Sequence, residues 1–416
     1  MTSHRKILIV AYSGKGHINP ALRFANRLLE TDVHVTFCTS LSVVKLIDNE
    51  TIPKGLTFAP FSDGHDRGKQ PNTPLQQFVS DFETKGAHAA AEIISSAADN
   101  GQPFDCLVYT TVIPLISNNN NNPKFPINLP GLPPLNIADL PSFLLATCPK
   151  ELEFLVPVMH DHIKVLKLPT SIPRILVNTV DELEFESIRA VKELEFLPIG
   201  PLIRSDGRHS SEYSPRMDFF EQTLDDYIQW LNMQPKSSVV YVSFGTIASF
   251  RMEQLEEIAS ALLEIGRPFL WVIRDSNQAE RVRNIARLEE HGMIVGWCSQ
   301  VEVFSHQAIG CVVMHCGWNS TVEALVAGVR TVAFPQWSDQ QMHAKMIEDV
   351  WKIGVRVRTR EGDGMVEGKE IARCVEMVME DEEMKTNAEK WKEVTREALH
   401  DGGQSTINLQ TFLHYL

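Results

Sequence analysis

The sequence predicts an α/β protein made of two doubly wound, Rossmann-like domains facing a cleft. Short β-branched runs alternate with longer helical patterns in two separate series, and a polar stretch stands between the series. In addition, 416 residues with 43% hydrophobic content exceed what one ordinary core accommodates and supply enough apolar side chains for two.

The first series begins with expected strands at Lys6–Ala11, Val33–Cys38, Leu56–Ala59 and Cys106–Tyr109, with helical stretches between them. The apolar run from Ile7 to Tyr12 is too short for the hydrophobic segment of a signal peptide and reads better as the first strand. The second series runs through Ser238–Phe244, Phe269–Ile273, Met293–Val295, Cys311–Met314 and Thr331–Ala333, with helices expected at Met252–Ile265 and Asp339–Val350. Between them, Gly200 to Arg216 has the Pro, Gly, Ser and charge content of a solvated connection. The expected division is therefore 1–200, a linker at 201–223, and 224–416, with the last helix packing back on the first domain. The asparagines 118–122, followed by Pro123, Pro126, Pro130, Pro133 and Pro134, predict an irregular surface loop. Open parallel sheets bind ligands beyond the carboxyl ends of their strands, so the chemistry is expected in the cleft.

A formal charge of −14 leaves no basic stripe for nucleic acid and no polybasic anchor for anionic lipid. No apolar run is long enough to span a bilayer. The seven cysteines are scattered and odd in number, which suits a reducing compartment; the expectation is a cytosolic monomer.

The chemistry concentrates where strand Cys311–Met314 ends at His315. There Gly317 is expected to let the backbone turn closely before Asn319, Ser320 and Thr321 open a helix running to Ala327. A helix N-terminus offers free N–H groups and partial positive charge, a natural seat for a phosphate. Two other readings fail on spacing. Gly14-x-Gly16 lacks the third glycine of a dinucleotide fingerprint, because Asn19 stands there, and the cysteines and histidines around residues 298–316 match no zinc pattern. Phe78, Phe82 and Met159 read as core.

The set Trp297-Cys298-Ser299-Gln300, His306, His315-Cys316-Gly317-Trp318-Asn319-Ser320, Glu323, Gly328, Pro335, Trp337 and Asp339-Gln340 resembles the signature box of plant family 1 glycosyltransferases. Similarity to the branch with anthocyanin 5-O-glucosyltransferases and glucose-ester-forming enzymes covers most of the chain, including Gly16-His17-Ile18-Asn19-Pro20, Ser237 to Thr246, and Ala344 through Met379. The resemblance implies a GT-B fold and inverting transfer of glucose from UDP-glucose to a small lipophilic acceptor, a phenol such as a flavonoid or anthocyanin, or a carboxylic acid.

By the same resemblance, His315, Asn319 and Ser320 hold the diphosphate, helped by the hydroxyl of Thr246. Trp297 stacks on uracil, Gln300 and Glu323 face the ribose, and Trp318, Asp339 and Gln340 address the sugar. Gly16, Cys298 and Gly317 complete the donor set. His17 is the expected general base, taking the acceptor proton. No Asp-x-Asp pair follows a strand, so no metal is expected, and UDP-glucose is the co-substrate with no other cofactor.

Three departures from the family stand out. Thr110 occupies a position where many relatives have an aspartate that orients the catalytic histidine; its hydroxyl can orient an imidazole but cannot stabilise imidazolium by charge. Arg330 replaces a proline and is expected to alter loop stiffness more than chemistry. After Val112-Ile113-Pro114 the chain passes almost directly to Ser117 and the asparagine run, where relatives have a helix, a strand and further pocket wall. That shortfall supports an alternative function, a UDP-sugar-binding protein with impaired catalysis.

Overall fold

The computed structural model describes residues 5–47, 52–70, 72–110, 125–145, 148, 150–166, 174–192, 194–203, 224–245 and 250–416. Thr246, most of the expected linker, the residues following Thr110 and the asparagine run lie outside the described residues.

The first domain runs β1 (Arg5–Val10), α1 (Lys15–Leu29), β2 (Val33–Ser40), α2 (Leu41–Val44), β3 (Leu56–Phe61), α3 (Leu75–Asp99) and β4 (Cys106–Tyr109), then α4 (Leu155–Leu166), β5 (Arg174–Val177), α5 (Asp181–Ala190) and β6 (Glu195–Pro198). The second runs α6 (Leu224–Asn232), β7 (Val239–Ser243), α7 (Met252–Ile265), β8 (Phe269–Val272), α8 (Ser276–Arg281), α9 (Ile285–His291), β9 (Gly292–Val295), α10 (Gln300–Ser305) and β10 (Ile309–Met314). It continues with α11 (Trp318–Ala327), β11 (Arg330–Ala333), α12 (Gln340–Lys345), β12 (Gly354–Arg356), α13 (Gly368–Glu380), α14 (Glu382–Leu399) and α15 (Gln404–His414).

The second sheet has the strand order β12-β11-β10-β7-β8-β9 and all its pairings are parallel. Strand order reverses between β7 and β10, which puts the ligand crevice beyond their carboxyl ends. Every residue of β7, β10 and β11 is buried, as expected for parallel strands covered on both faces. One cover is the pair α7 and α13. Leu255, Ile258, Ala259 and Leu262 face Ile371, Ala372, Val375 and Val378, both at helical spacing, in one apolar cluster.

The first sheet follows the same winding, β3-β2-β1-β4, with its reversal between β1 and β4. Among the described residues it stops there, and β5 and β6 pair only with each other. Neither strand of that pair was read from the sequence, nor was β12. The last helix crosses back, burying Leu409, Phe412 and Leu413 with Ile7, Ile9 and Leu197, while the amide of Asn408 donates to the carbonyl of Pro198 at 2.7 Å.

Two expectations change on inspection. The helix expected at Asp339–Val350 divides into α12 and a π-helical turn at Met346–Val350. Arg330 does more than set loop stiffness: it opens β11, is 7% exposed, and donates through Nη1 to the Met379 carbonyl at the end of α13, 2.8 Å away.

Candidate active site

The two reversal points face each other across a cavity of about 1300 Å³. In the first domain, Val10 is level with Tyr109, so Ala11 and Thr110 leave the sheet side by side and the chain turns into α1. In the second, Met314 is level with Ser243 and Ala333, so Gly245 and His315 emerge together. Gly16, His17, Thr110, Trp297, Cys298, Gln300, His315, Gly317, Trp318, Asn319, Ser320, Glu323, Asp339 and Gln340 all line this cavity.

The turn into α11 is close, and two residues make it. Cys316 takes the left-handed conformation, φ 61°, whereas Gly317 has φ −62°. Gly317 is needed for closeness: a Cβ there would sit 2.6 Å from His315 Nε2, and one on Gly245, itself at φ 73°, would sit equally close at 2.6 Å. The His315 ring is thus slotted between two glycines. Burial lowers its pKa to about 4, a shift opposed by Asp339 and reinforced by His343 and Arg274. The ring is neutral at pH 7, and its Nδ1 is buried without a hydrogen-bond partner among the described residues.

Beside it, α11 begins at Trp318, whose first-turn N–H groups face the cavity end of the helix. Ser320 Oγ accepts from Gln300 Nε2 at 2.9 Å, and the same amide nitrogen donates to Glu323 Oε2 at 2.7 Å. The other oxygen of Glu323 accepts from Arg23 Nη1, on α1 of the opposite domain, at 2.8 Å. Asn319 Nδ2 reaches across as well, to the carbonyl of Gly16 at 3.0 Å.

Several side chains are occupied in ways the sequence did not indicate. The Trp318 indole packs against His343 and Trp351, at 5.0 and 6.4 Å between ring centres, and donates to the Asn178 carbonyl at 2.8 Å. What it leaves for a ligand is its backbone N–H. The Cys298 thiol is buried against the Tyr241 hydroxyl, 3.4 Å away. Gln340 turns its amide oxygen onto the N–H groups of Gln336 and Trp337, at 2.8 and 3.1 Å, so only its NH₂ remains to address a ligand.

On the acceptor side, His17 sits in the first turn of α1 with Tyr12 edge-on to its ring at 5.3 Å. Burial lowers its pKa. Thr110 has a partner other than the expected imidazole. Its Oγ1 accepts from the backbone N–H of Tyr12 at 3.1 Å, and among the described residues the His17 imidazole has no hydrogen-bond partner. The physical reason is local, because Tyr12 leaves the ladder where β1 ends and the neighbouring hydroxyl caps its exposed N–H. Asp105 lies at the far end of β4, accepting from the Lys6 N–H at 2.7 Å. Tyr12 also packs edge-on to Phe82 and Phe78, which are buried core residues as read. Burial first, then Glu83 and Asp63, pushes the Tyr12 phenol up to about 12.

Sequence reading missed Arg23 and Asn178. Arg23 carries no local signal, since its partner lies three hundred positions away. Asn178 had one: it follows the short apolar run Ile175-Leu176-Val177, the carboxyl end of a strand. Among the described residues no helix is long and apolar enough to cross a membrane.

Residues 164–398 match the family described as UDP-glucoronosyl and UDP-glucosyl transferase. The chain is 42% identical to the chloroplastic crocetin glucosyltransferase of Gardenia jasminoides, covering 99% of this chain and 98% of that protein. It is 39% identical to anthocyanidin 3-O-glucoside 5-O-glucosyltransferase 1 of Perilla frutescens, covering 99% and 98%. The Gardenia alignment runs over 466 positions against 416 residues here, so at least 50 positions of that relative face a gap in this chain. Among solved structures, Os79 from O. sativa in complex with UDP superposes with a TM-score of 0.85 at 28% identity, covering 98% of this chain and 99% of that one.

Proposed function

This chain belongs to the UDP-glucoronosyl and UDP-glucosyl transferase family, and from that premise we propose that it transfers glucose from UDP-glucose to a small lipophilic phenol or carboxylic acid with inversion. One observation carries the proposal. The hydrogen bond from Asn319 to Gly16 joins the first turn of α11 to the first turn of α1, so the helix end suited to a diphosphate stands one residue from His17.

In this reading UDP lies on the second domain. Glu323 has one oxygen held by Arg23 and the other by Gln300, and each keeps a lone pair for a ribose hydroxyl. The diphosphate sits at the start of α11, where free N–H groups and the helix dipole favour negative charge. His315 supports the same placement, since a neutral imidazole can donate to a phosphate oxygen and its orphaned nitrogen is costly while unpaired. Trp297 stacks on the base, and Asp339 with the Gln340 amide faces the sugar.

His17 accepts the acceptor's hydroxyl proton. The oxygen's electron pair forms the new bond to the anomeric carbon as the bond to the β-phosphate oxygen breaks, and UDP leaves with that electron pair. One displacement inverts the configuration. The charge that develops on UDP meets the α11 N-terminus and His315, and the proposed transfer is independent of metal. The aromatic edge of Tyr12 and the exposed Leu107 and Tyr109 of β4 suit a lipophilic acceptor.

A second reading has its own support. Thr110 is hydrogen-bonded to the Tyr12 N–H, the described strands of the first sheet end at β4, and at least 50 positions of a close relative have no counterpart here, all of which favour UDP-sugar binding with impaired turnover. Incubation with UDP-glucose and a panel of phenols and carboxylic acids, following UDP release with and without EDTA, decides between them. Acceptor-dependent release that survives EDTA is expected. Tight UDP binding with no release for any acceptor favours the second reading, and release restored only by Mg²⁺ or Mn²⁺ overturns the metal-independent mechanism.

A further inference from the structure

We propose that Ser142, from the first domain, is a positioning residue for the donor's sugar: it holds Ser338 in the left-handed conformation that presents Asp339 and Gln340 to the cleft. The inference rests on the donor reading above and concerns a residue that touches neither nucleotide nor acceptor.

Ser338 has φ 63°, a conformation that a side chain with a Cβ adopts only when its surroundings enforce it. The enforcement comes from one residue 196 positions earlier: Ser142 Oγ accepts from the Ser338 N–H at 2.7 Å, and the Ser142 N–H donates to the Ser338 carbonyl at 2.8 Å. Both backbone polar groups of Ser338 are therefore held from across the domain boundary. The turn is continuous with the site. Asp339 is the N-cap of α12 and makes no side-chain capping bond there, and its side chain is 40% exposed on the cavity wall. Gln340, the first residue of α12, closes the loop from inside by accepting from Gln336 and Trp337.

The segment carrying Ser142 is itself anchored at the other end of α12. Asp139, 2% exposed, accepts from Arg356 Nη2 at 2.6 Å, lies 3.9 Å from Lys345 Nζ, and caps its own turn by accepting from the Asn136 N–H. Leu140 and Phe143 are buried on either side of Ser142's turn. First-domain residues thus hold α12 at both termini, and the end nearest the sugar residues is held by one residue, through its hydroxyl and its backbone N–H.

The test separates sugar recognition from general interface packing. In Ser142→Ala, one backbone donor loses its partner and the left-handed turn keeps only the backbone half of its restraint. UDP affinity is expected to stay within about twofold, while UDP-glucose affinity and kcat/KM for UDP-glucose fall about tenfold. Ser142→Thr keeps the hydroxyl and is expected to rescue both. Ser338→Gly added to Ser142→Ala is expected to recover part of the loss, because glycine adopts this conformation without strain. Equal losses for UDP and UDP-glucose, or no loss for either, overturn the positioning role, and so does a folded Ser142→Thr that behaves like Ser142→Ala. A wild-type chain that binds UDP but shows no added contribution from glucose removes the sugar assignment and the proposal with it; one that binds neither nucleotide overturns the donor reading itself.

Discussion

At β10 the second sheet carries strands on both sides, and Ile309 to Met314 are buried without exception. At the matching place in the first sheet, β4 pairs among the described residues with β1 alone, and Leu107 and Tyr109 are 46% and 44% exposed. The two domains share a winding order up to their fourth strands and then part, one continuing through β11 and β12, the other leaving β5 and β6 as a separate pair. In the proposed mechanism donor recognition uses the second sheet and acceptor activation the first. The histidines at the two reversal points make the contrast measurable: His315 is fixed between two glycines, whereas His17 rests on one aromatic edge.

The largest expected effect tests whether the shortened domain still performs chemistry. His17→Ala should reduce kcat/KM for phenols about 10²–10⁴-fold, the usual range for general base catalysis, because a phenol near its ordinary pKa of about 10 is protonated at neutral pH. A carboxylic acid is already ionised and should lose much less. Burial lowers the His17 pKa, so the phenol rate should persist below pH 6.5 and fall only as pH drops through that lowered value. Measuring both acceptor types across pH 5–8 at saturating UDP-glucose checks this. Equal losses for phenol and acid would mean that His17 only orients the acceptor.

The next effect belongs to the intact domain. The folded pKa of His315 is about 4 against 6.5 for the unfolded chain. Because the folded value is the lower, unfolding takes up a proton, and the stability associated with the neutral ring is complete above pH 6.5 and lost as pH falls toward 4. The loss should approach about 3 kcal/mol. Urea unfolding of wild type and His315→Gln between pH 7.5 and 4.5 isolates it, since other groups titrate in both proteins. Parallel curves would show that His315 is not buried in solution as it is here.

How far the site was legible from sequence follows the same division. Strands β7 to β11 lie within two residues of expectation because each is a short, mainly apolar run with helical patterns on either side. The strands β5, β6 and β12 escaped because four or three residues are too few to show a period, and β12 is an edge. Residue types at the cleft were readable; their orientations were not. Gly317 was expected to let the backbone turn closely; it makes room for an imidazole, while the left-handed conformation falls on Cys316. Trp318 and Gln340 belong to the site, yet the indole and the amide oxygen serve the scaffold. The contacts that align the domains, Arg23 with Glu323 and Ser142 with Ser338, link residues hundreds of positions apart and leave no local pattern.

The smallest effect falls on Thr110, where sequence and structure disagree. If its hydroxyl oriented His17, removing it would slow phenol transfer and shift the pH profile. In the structure it caps the Tyr12 N–H instead, at the point where β1 leaves the ladder. Thr110→Val keeps the shape and removes the acceptor, so the half-buried N–H loses its partner at a cost of about 1–2 kcal/mol in stability. Catalysis should change little, since nothing joins Thr110 to the imidazole. Two measurements decide it: the urea midpoint, and the pH dependence of kcat/KM for a phenol under conditions where both proteins remain folded. A lowered midpoint with an unshifted profile places Thr110 in the scaffold of the first reversal point. A tenfold slower reaction with a displaced profile and unchanged stability would mean that the hydroxyl turns to His17 once donor and acceptor are bound, so that the shortened domain completes its site only in the reacting complex.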